Sequence, residues 1–419
     1  MYLKKKDLFR HFVMTLFCLA LCACAFTPIF FSGAYYPAIA HDPINGRYLA
    51  VYLKIKIGHP DAGGKGDSRL FGSFIDSSGS QFGNEFVIAG DPAYYYCPAI
   101  AFDSTHRQYL VIWNSEDNIF GQFINSEGSL TGARLTLSNT ATTPYGRCSA
   151  VTYGDAVQKF VAAWGEQDSS HRDNVYARVI NSDGSFDGSK LAVSSDGALP
   201  ISPSIANDGL SQRLLVVWES ADNRQIKGRM IDPDGTFPGV EFPISSASGT
   251  FFNPTVTYNS VDARFLVSWE YTTDDSTYNI VGQLLNPDGS AYQSLIAISS
   301  PGRNANNHTL EYNPSANNYL ILFSDYRLGT QLLYAQVVKS DGTLDTTISN
   351  DNILISYADY PHDRRSSVAF DSDTKRYFSI WQYGLTDDRE AFPDIHGRLI
   401  NADGSPAGDI SVVSNGGVW

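Results

Sequence analysis

The chain is poor in charge. Lys, Arg, Asp and Glu make up 18% of its 419 residues and hydrophobic types 43%, a balance that excludes intrinsic disorder. The charge present leans acidic, with 30 basic against 44 acidic residues and a net −14. Such a surface repels polyanions, so no nucleic-acid partner is expected. Beyond the N-terminus no apolar run reaches membrane-spanning length. Catalytic signatures are missing too: there is no HExxH, no Walker loop and no GxSxG. Ser372 and Lys375 have SxxK spacing, but in a turn with no helix to align them. No EF-hand spacing is present, and the histidines of the body are scattered without paired spacing. Cysteine is scarce: of five, only Cys97 and Cys148 lie outside the first 25 residues.

The N-terminus reads as an export leader over 1–25. Lys4, Lys5, Lys6 and Arg10 precede an apolar run from Phe12 to Phe26, too short for an ordinary span. Ala23-Cys24-Ala25 fits a cleavage site, and Leu21-Cys22-Ala23-Cys24 resembles a lipobox with Cys24 as the lipidated residue. A soluble secreted form and a lipoprotein both remain open, and a lipid on Cys24 is the one membrane contact expected. The localisation expected is periplasmic, cell-surface or extracellular. Removing the leader takes four basic residues and one acidic residue, so the net charge of −14 becomes −17.

What the body does have is one phrase written seven times. Its clearest copy runs Pro98–Asp103, Gln108–Trp113, Phe120–Ile124, Glu127–Ser129 and Leu135–Ser138. The aromatic closing the second segment recurs as Tyr52, Trp113, Trp164, Trp218, Trp269, Phe323 and Trp381. A turn glycine recurs as Gly79, Gly128, Gly184, Gly235, Gly289, Gly342 and Gly404, at spacings of 49 to 62 residues. Four short strand signals per repeat at this period predict an all-β, seven-bladed β-propeller of four-stranded antiparallel blades over 26–419. Apolar inner strands such as Leu214–Trp218 fit sheets covered on both faces. Asp or Asn five residues before the second strand starts the first hairpin turn, and Asp-Gly supplies most second turns. A small residue recurs in the third strand as Gly72, Gly121, Ala177, Gly228, Gly282, Ala335 and Gly397. The expectation is that the second-strand Trp lies across it. Two closures fit: seven self-contained blades, or pairing of Pro28–Gly33, which resembles the fourth strand Phe86–Gly90, onto the last blade.

The phrases "PAIAFD…YLVIW…IFGQFINSEGS" and "FSDYRLGTQLLYAQVVKSDGT" resemble repeats of exported bacterial β-propeller proteins. "SDGTLDTT" at 340–347 also resembles the delta-60 repeat, without its partner motif. The resemblance implies the fold and transfers no catalytic residue.

In such blades the second-to-third and fourth-to-first strand loops share one face. The former vary, with 20, 8, 13, 10, 13, 12 and 16 residues from aromatic to small residue. They carry acids in every blade, including Glu116, Asp117, Glu166, Glu219, Glu270 and Asp325, and Tyr95 and Tyr96 stand among aromatics of the neighbouring loops. Carboxylates beside exposed rings suit a sugar ligand, and oxygen-rich loops are compatible with Ca²⁺. A solvated acidic rim with tyrosines packed between blades accounts for the same residues. Glu311 stands where other first strands have Ala40, Ala101, Ala206 and Ala369, which points it at the central channel. Cys97 and Cys148 hold equivalent positions in adjacent blades, near enough on a sevenfold ring for a disulfide. The functional expectation is a monomeric, non-enzymatic binding or scaffold propeller for a glycan or protein, with no cofactor required. The alternative is a carbohydrate-active enzyme using two carboxylates of the same face.

Overall fold

The computed structural model describes residues 31–57, 68–93, 95–115, 118–138, 148–167, 173–195, 201–220, 225–245, 249–274, 276–356, 363–384 and 393–415. The leader with Cys24, and the loop residues Glu116 and Asp117, lie outside the described residues. The described residues form 28 strands and no helix, arranged as seven four-stranded sheets. Each sheet is a meander of four consecutive strands, here called a to d, and every pairing is antiparallel. The blades cover 31–93, 95–138, 150–192, 201–243, 250–297, 306–354 and 363–414.

Strand b explains the architecture. In blade 4 it is Leu214–Ser220 and is buried along its whole length. Alternate residues face opposite neighbours: Leu214, Val216 and Trp218 join the core shared with blade 3, while Leu215 and Val217 join the core shared with blade 5. The same division repeats around the ring, giving seven separate cores, each between two adjacent blades. All seven strand-b aromatics face the preceding blade and are fully or almost fully buried. Removing roughly 150–250 Å² of each ring from water contributes on the order of 4–6 kcal/mol before entropy is subtracted.

The small residue of strand c does not sit under the tryptophan. Gly121 pairs with Ile112, while Trp113 pairs with Phe120. A one-residue offset in a strand places a side chain on the opposite face, so the glycine faces the following blade and the indole the preceding one. A side chain at Gly228 would instead meet Ile244, Phe242 and Leu215 of its own blade. These strand-d and strand-b side chains fold over the strand-c backbone.

The c–d turn glycines have two duties. All seven take φ between 82° and 86°, which a side chain disfavours. All seven touch the preceding blade, and six are pressed onto it, among them Gly128 onto Phe74 and Phe86, Gly184 onto Phe123 and Leu135, Gly289 onto Phe242, and Gly79 onto Phe378; Gly235 makes ordinary contact with Leu191. Strand b of one blade also reaches the c–d turn of the next, as in Gln108 Nε2 to the Ser182 carbonyl (2.7 Å) and Asn318 Nδ2 to the Ala402 carbonyl (3.1 Å).

Among the described residues the ring closes without strand exchange. Phe31–Asp42 is strand a of blade 1 and pairs with Arg47–Ile57 of its own sheet. Blades 7 and 1 meet through a hydrophobic core like the other six. Polar contacts supplement it: the Ala34 N–H donates to the Pro393 carbonyl (2.6 Å), and Ser414 Oγ donates to Glu85 Oε1 (2.7 Å). Glu85 also receives Tyr52 and Lys54, both at 2.6 Å. Blade 3 builds the same latch with its charges exchanged. There Glu166 on strand b takes Ser138 Oγ of blade 2 (2.5 Å), Trp164 Nε1 (2.8 Å) and Lys190 of strand d.

Two alanine substitutions separate the duties of the turn glycine. Gly46 has φ of 58° with no atom near its absent Cβ, so Gly46→Ala should cost about 1 kcal/mol. At Gly289 an added Cβ would lie 2.5 Å from Phe242, so Gly289→Ala should cost a further ~1–2 kcal/mol in urea unfolding. Equal costs would mean that the turn does not press on its neighbour.

Candidate functional site

Strand a lines the channel, and its start is irregular in a repeated way. In blades 1, 2, 4, 5, 6 and 7 its pairing with strand b slips by a bulge. The extra residue takes positive φ: Tyr36, Cys97, Ser202, Asn253, Asn307 and Arg365, all between 48° and 54°. In the first four of these the next residue is proline. Proline cannot donate to the ladder, and a bulge is where a strand tolerates it. The bulges, with Cys148 of blade 3, line a cavity of about 310 Å³ at the channel mouth on the face of the b–c and d–a loops. The X-Pro step at the start of strand a in blades 1, 2, 4 and 5 is the sequence signal for this ring.

Three ionisable side chains give the mouth its chemistry. Glu270, at the end of strand b in blade 5, is 5% exposed. Its Oε1 accepts Asn253 Nδ2 (3.1 Å) and the Asn307 N–H (2.8 Å). Among the described residues no donor reaches Oε2. Burial raises the Glu270 pKa despite these two bonds. His308 also lines the cavity, with neither ring nitrogen in hydrogen-bond geometry. Burial holds its pKa down at about 4, outweighing a contact with the Ser268 backbone, so the imidazole is neutral at pH 7. The exposed Arg365 guanidinium lies 3.9 Å from the centroid of the Tyr36 ring.

The other expected site residues are not brought together. Tyr95 and Tyr96 are 3% and 8% exposed, in the core between blades 1 and 2, so they are not the exposed stacking rings expected. The Tyr95 hydroxyl donates to the Asp91 carbonyl (2.9 Å), and its ring meets Trp113 edge-on. Glu166, Glu219 and Asp325 are not on a solvated rim either. Strand b runs two or three residues past its aromatic, so these carboxylates lie at the end of a buried strand and are 5% exposed or less. Burial alone would raise the Glu166 pKa, but Lys190, Ser138 and Trp164 together hold it below the ordinary range. Asp325 accepts Arg327 Nε at 2.8 Å, and Arg327 reaches on to Asp351 (3.0 Å) and Asn352 (2.8 Å). Many acids and aromatics of the loops, such as Asp61, Asp387 and Tyr94, lie outside the described residues. No group of three or more His, Cys, Asp or Glu side chains that could hold a metal ion occurs among the described residues.

Glu311 does line the channel, but at the opposite end, beside the a–b turns. Its side chain is half-buried with part of its surface open to the channel, and burial pushes its pKa up to about 8. Cys97 and Cys148 are joined by a disulfide, with Cα atoms 5.0 Å apart, that ties blade 2 to blade 3 at the first mouth.

No family model matches the chain, and no curated protein matches its sequence. Solved structures match it in fold. A protein from Lactobacillus plantarum superposes with a TM-score of 0.53 at 11% identity, over 86% of this chain and 96% of that one. The chain is a seven-bladed β-propeller. A puromycin-hydrolysing peptidase from Mycobacterium tuberculosis gives a TM-score of 0.54 at 11% identity, over 91% of this chain and 53% of its own. A prolyl endopeptidase gives 0.51 at 11% identity, over 93% and 50%. The propeller thus spans about half the length of those two peptidases, and at such identities the likeness is one of fold alone.

Two measurements follow from the channel lining. The disulfide closes a sequence separation of 51 residues, so Cys97→Ser with Cys148→Ser should cost roughly 2–4 kcal/mol, read as a lower Tm that reductant does not lower further. Glu311 has a folded pKa of about 8 against an ordinary 4.5. As pH rises through that window the unfolded chain gives up the proton first, so stability falls and then levels off. Glu311→Gln should remove this limb from unfolding free energies measured at about pH 5, 7 and 9; parallel pH profiles for both proteins would contradict it.

Proposed function

We propose that the protein is an exported binding propeller whose ligand is a glycan end seated in the channel mouth on the b–c and d–a loop face. The observation that carries this reading is Glu270: a buried carboxylate fixed through one oxygen, with the other left to a cavity of about 310 Å³. That volume is at the small end of the ligand-pocket range of roughly 300–1,000 Å³. A carboxylate oxygen accepts sugar hydroxyls, Asn253 and Asn307 add amides at the rim, and the Tyr36 ring supplies a surface on which C–H faces stack. A disulfide at the same mouth suits an oxidising compartment and supports the export reading.

The enzymatic alternative asks for more. Hydrolysis by paired acids needs two carboxyl groups about 5–10 Å apart, and Glu270 is the one carboxylate that lines this cavity among the described residues. Binding needs no second acid.

A glycan array probed with and without Ca²⁺ tests the proposal. The native protein should retain a defined set of glycans, and Glu270→Ala should weaken retention at least tenfold, a loss of about 1.4 kcal/mol or more. Retention indifferent to Glu270→Ala and Arg365→Ala would remove the site. Cleavage of a retained polysaccharide would replace the binding reading with the enzymatic one. Loss on chelation alone would place Ca²⁺ in the complex.

A further inference from the structure

The channel has a second mouth, on the face of the a–b and c–d turns. Strand a of blade 6, Asn306–Asn313, places Glu311 there. The equivalent residues of the other blades are Ala40, Ala101, Thr152, Ala206, Thr257 and Ala369, all small. One long acidic side chain therefore faces a wide space. Two adjoining cavities of about 420 and 410 Å³ fill it, and both are lined by Tyr153, Asp155 and Glu311.

We propose that this end of the channel is a second ligand site, built for an aliphatic ammonium group held by Glu311 and Asp155. Three observations define the ligand. The first is an excess of acceptors. No hydrogen-bond donor reaches Glu311 among the described residues. Gln212, 9% exposed, lines the same space with an Oε1 that meets no donor, its Nε2 being used by the Gly209 carbonyl (2.7 Å). Buried acceptors without donors are costly, and an ammonium carries three donors. The second is sign: neither cavity is lined by Lys or Arg among the described residues, so the site disfavours anions. The third is the wall. Phe102, Tyr153, Tyr258 and Phe370 surround an alanine-rich floor, which suits a cation–π contact and a hydrocarbon stem. A bare Ca²⁺ is disfavoured, because no group of three or more His, Cys, Asp or Glu side chains that could hold a metal ion occurs among the described residues.

The proton balance is defined. Without ligand, burial keeps most of the Glu311 carboxyl protonated at pH 7. On ammonium binding its O–H bond breaks, the proton leaves to buffer, and the carboxylate pairs with the cation. Among the groups around it, burial lowers the His41 pKa and raises those of Tyr153, Tyr258, Tyr312 and Tyr377, so all five are uncharged at pH 7. Asp155 is exposed and accepts Ser104 Oγ (2.5 Å).

Titration calorimetry of the whole protein near pH 7, in two buffers of different ionisation heat, tests this site. The probes are spermidine and an N-acetyl-lysine amide, which separate a free polyamine from a lysine side chain. At least one should bind saturably and release nearly one proton. Glu311→Gln, an isosteric change to a neutral group, should weaken binding at least tenfold and abolish the release while still unfolding in one cooperative transition. Asp155→Asn should weaken binding severalfold. Failure of both probes to bind, or equal binding by Glu311→Gln, overturns the proposal. The cavity is distinct from the Glu270 mouth, so either test can fail without the other.

Discussion

Each sheet of this protein must be covered on both faces, and everything else follows from that. Strand b carries apolar side chains in unbroken sequence because its alternate residues serve two cores. A single blade would leave both of those surfaces in water. Stability therefore resides in the seven spaces between blades, and the ring is the arrangement that leaves none of them open. The outer strands make the point by contrast. In blades 4, 5 and 6 strand d shrinks to two residues, Phe242–Pro243, Ile296–Ala297 and Ile353–Leu354, because the periphery contributes little to those spaces.

The frame was legible in the sequence because its signals are local. Apolar runs, Asp-Gly turns and a repeat of some fifty residues each report on one hairpin. The face of a residue was harder to read. The third-strand Gly and the second-strand Trp recur together, yet they point to opposite neighbours, because the register differs by one. In the sequence the turn glycines signal a tight hairpin turn and nothing more. Their contact with the preceding blade is a property of two repeats at once and cannot be seen in one. The candidate site suffered most. Acids after the strand-b aromatic look like loop residues in the sequence, but Glu166 and Asp325 are the buried ends of strands, each with a cation. Glu270 differs from them only in having amides, not a cation, for partners.

The two ends of the channel divide the chemistry of the molecule. At one end six bulges bring an imidazole, a guanidinium and a half-satisfied carboxylate around a small bowl. At the other a carboxyl stands among alanines. The frame between them is close to sevenfold, and the departures from sevenfold are concentrated in the lining of the channel. The charge-exchanged latches, Lys54 with Glu85 and Glu166 with Lys190, show that the frame accepts either polarity where only pairing matters.

The uniform direction of the packing has a consequence for assembly. Every strand-b aromatic and every c–d turn glycine leans on the blade before it, so the contact between blades is head-to-tail. A head-to-tail contact ends only when its rotation closes. Here one chain completes the circle, joining the exposed side of blade 7 to that of blade 1. The two surfaces are complementary from the moment each is made. Before closure, a half-finished ring therefore carries matching ends that recognise those of any other unfinished copy. Closure within one chain competes with chain-to-chain polymerisation, and the latch at Glu85 and Ser414 lies on the seam where that competition is decided.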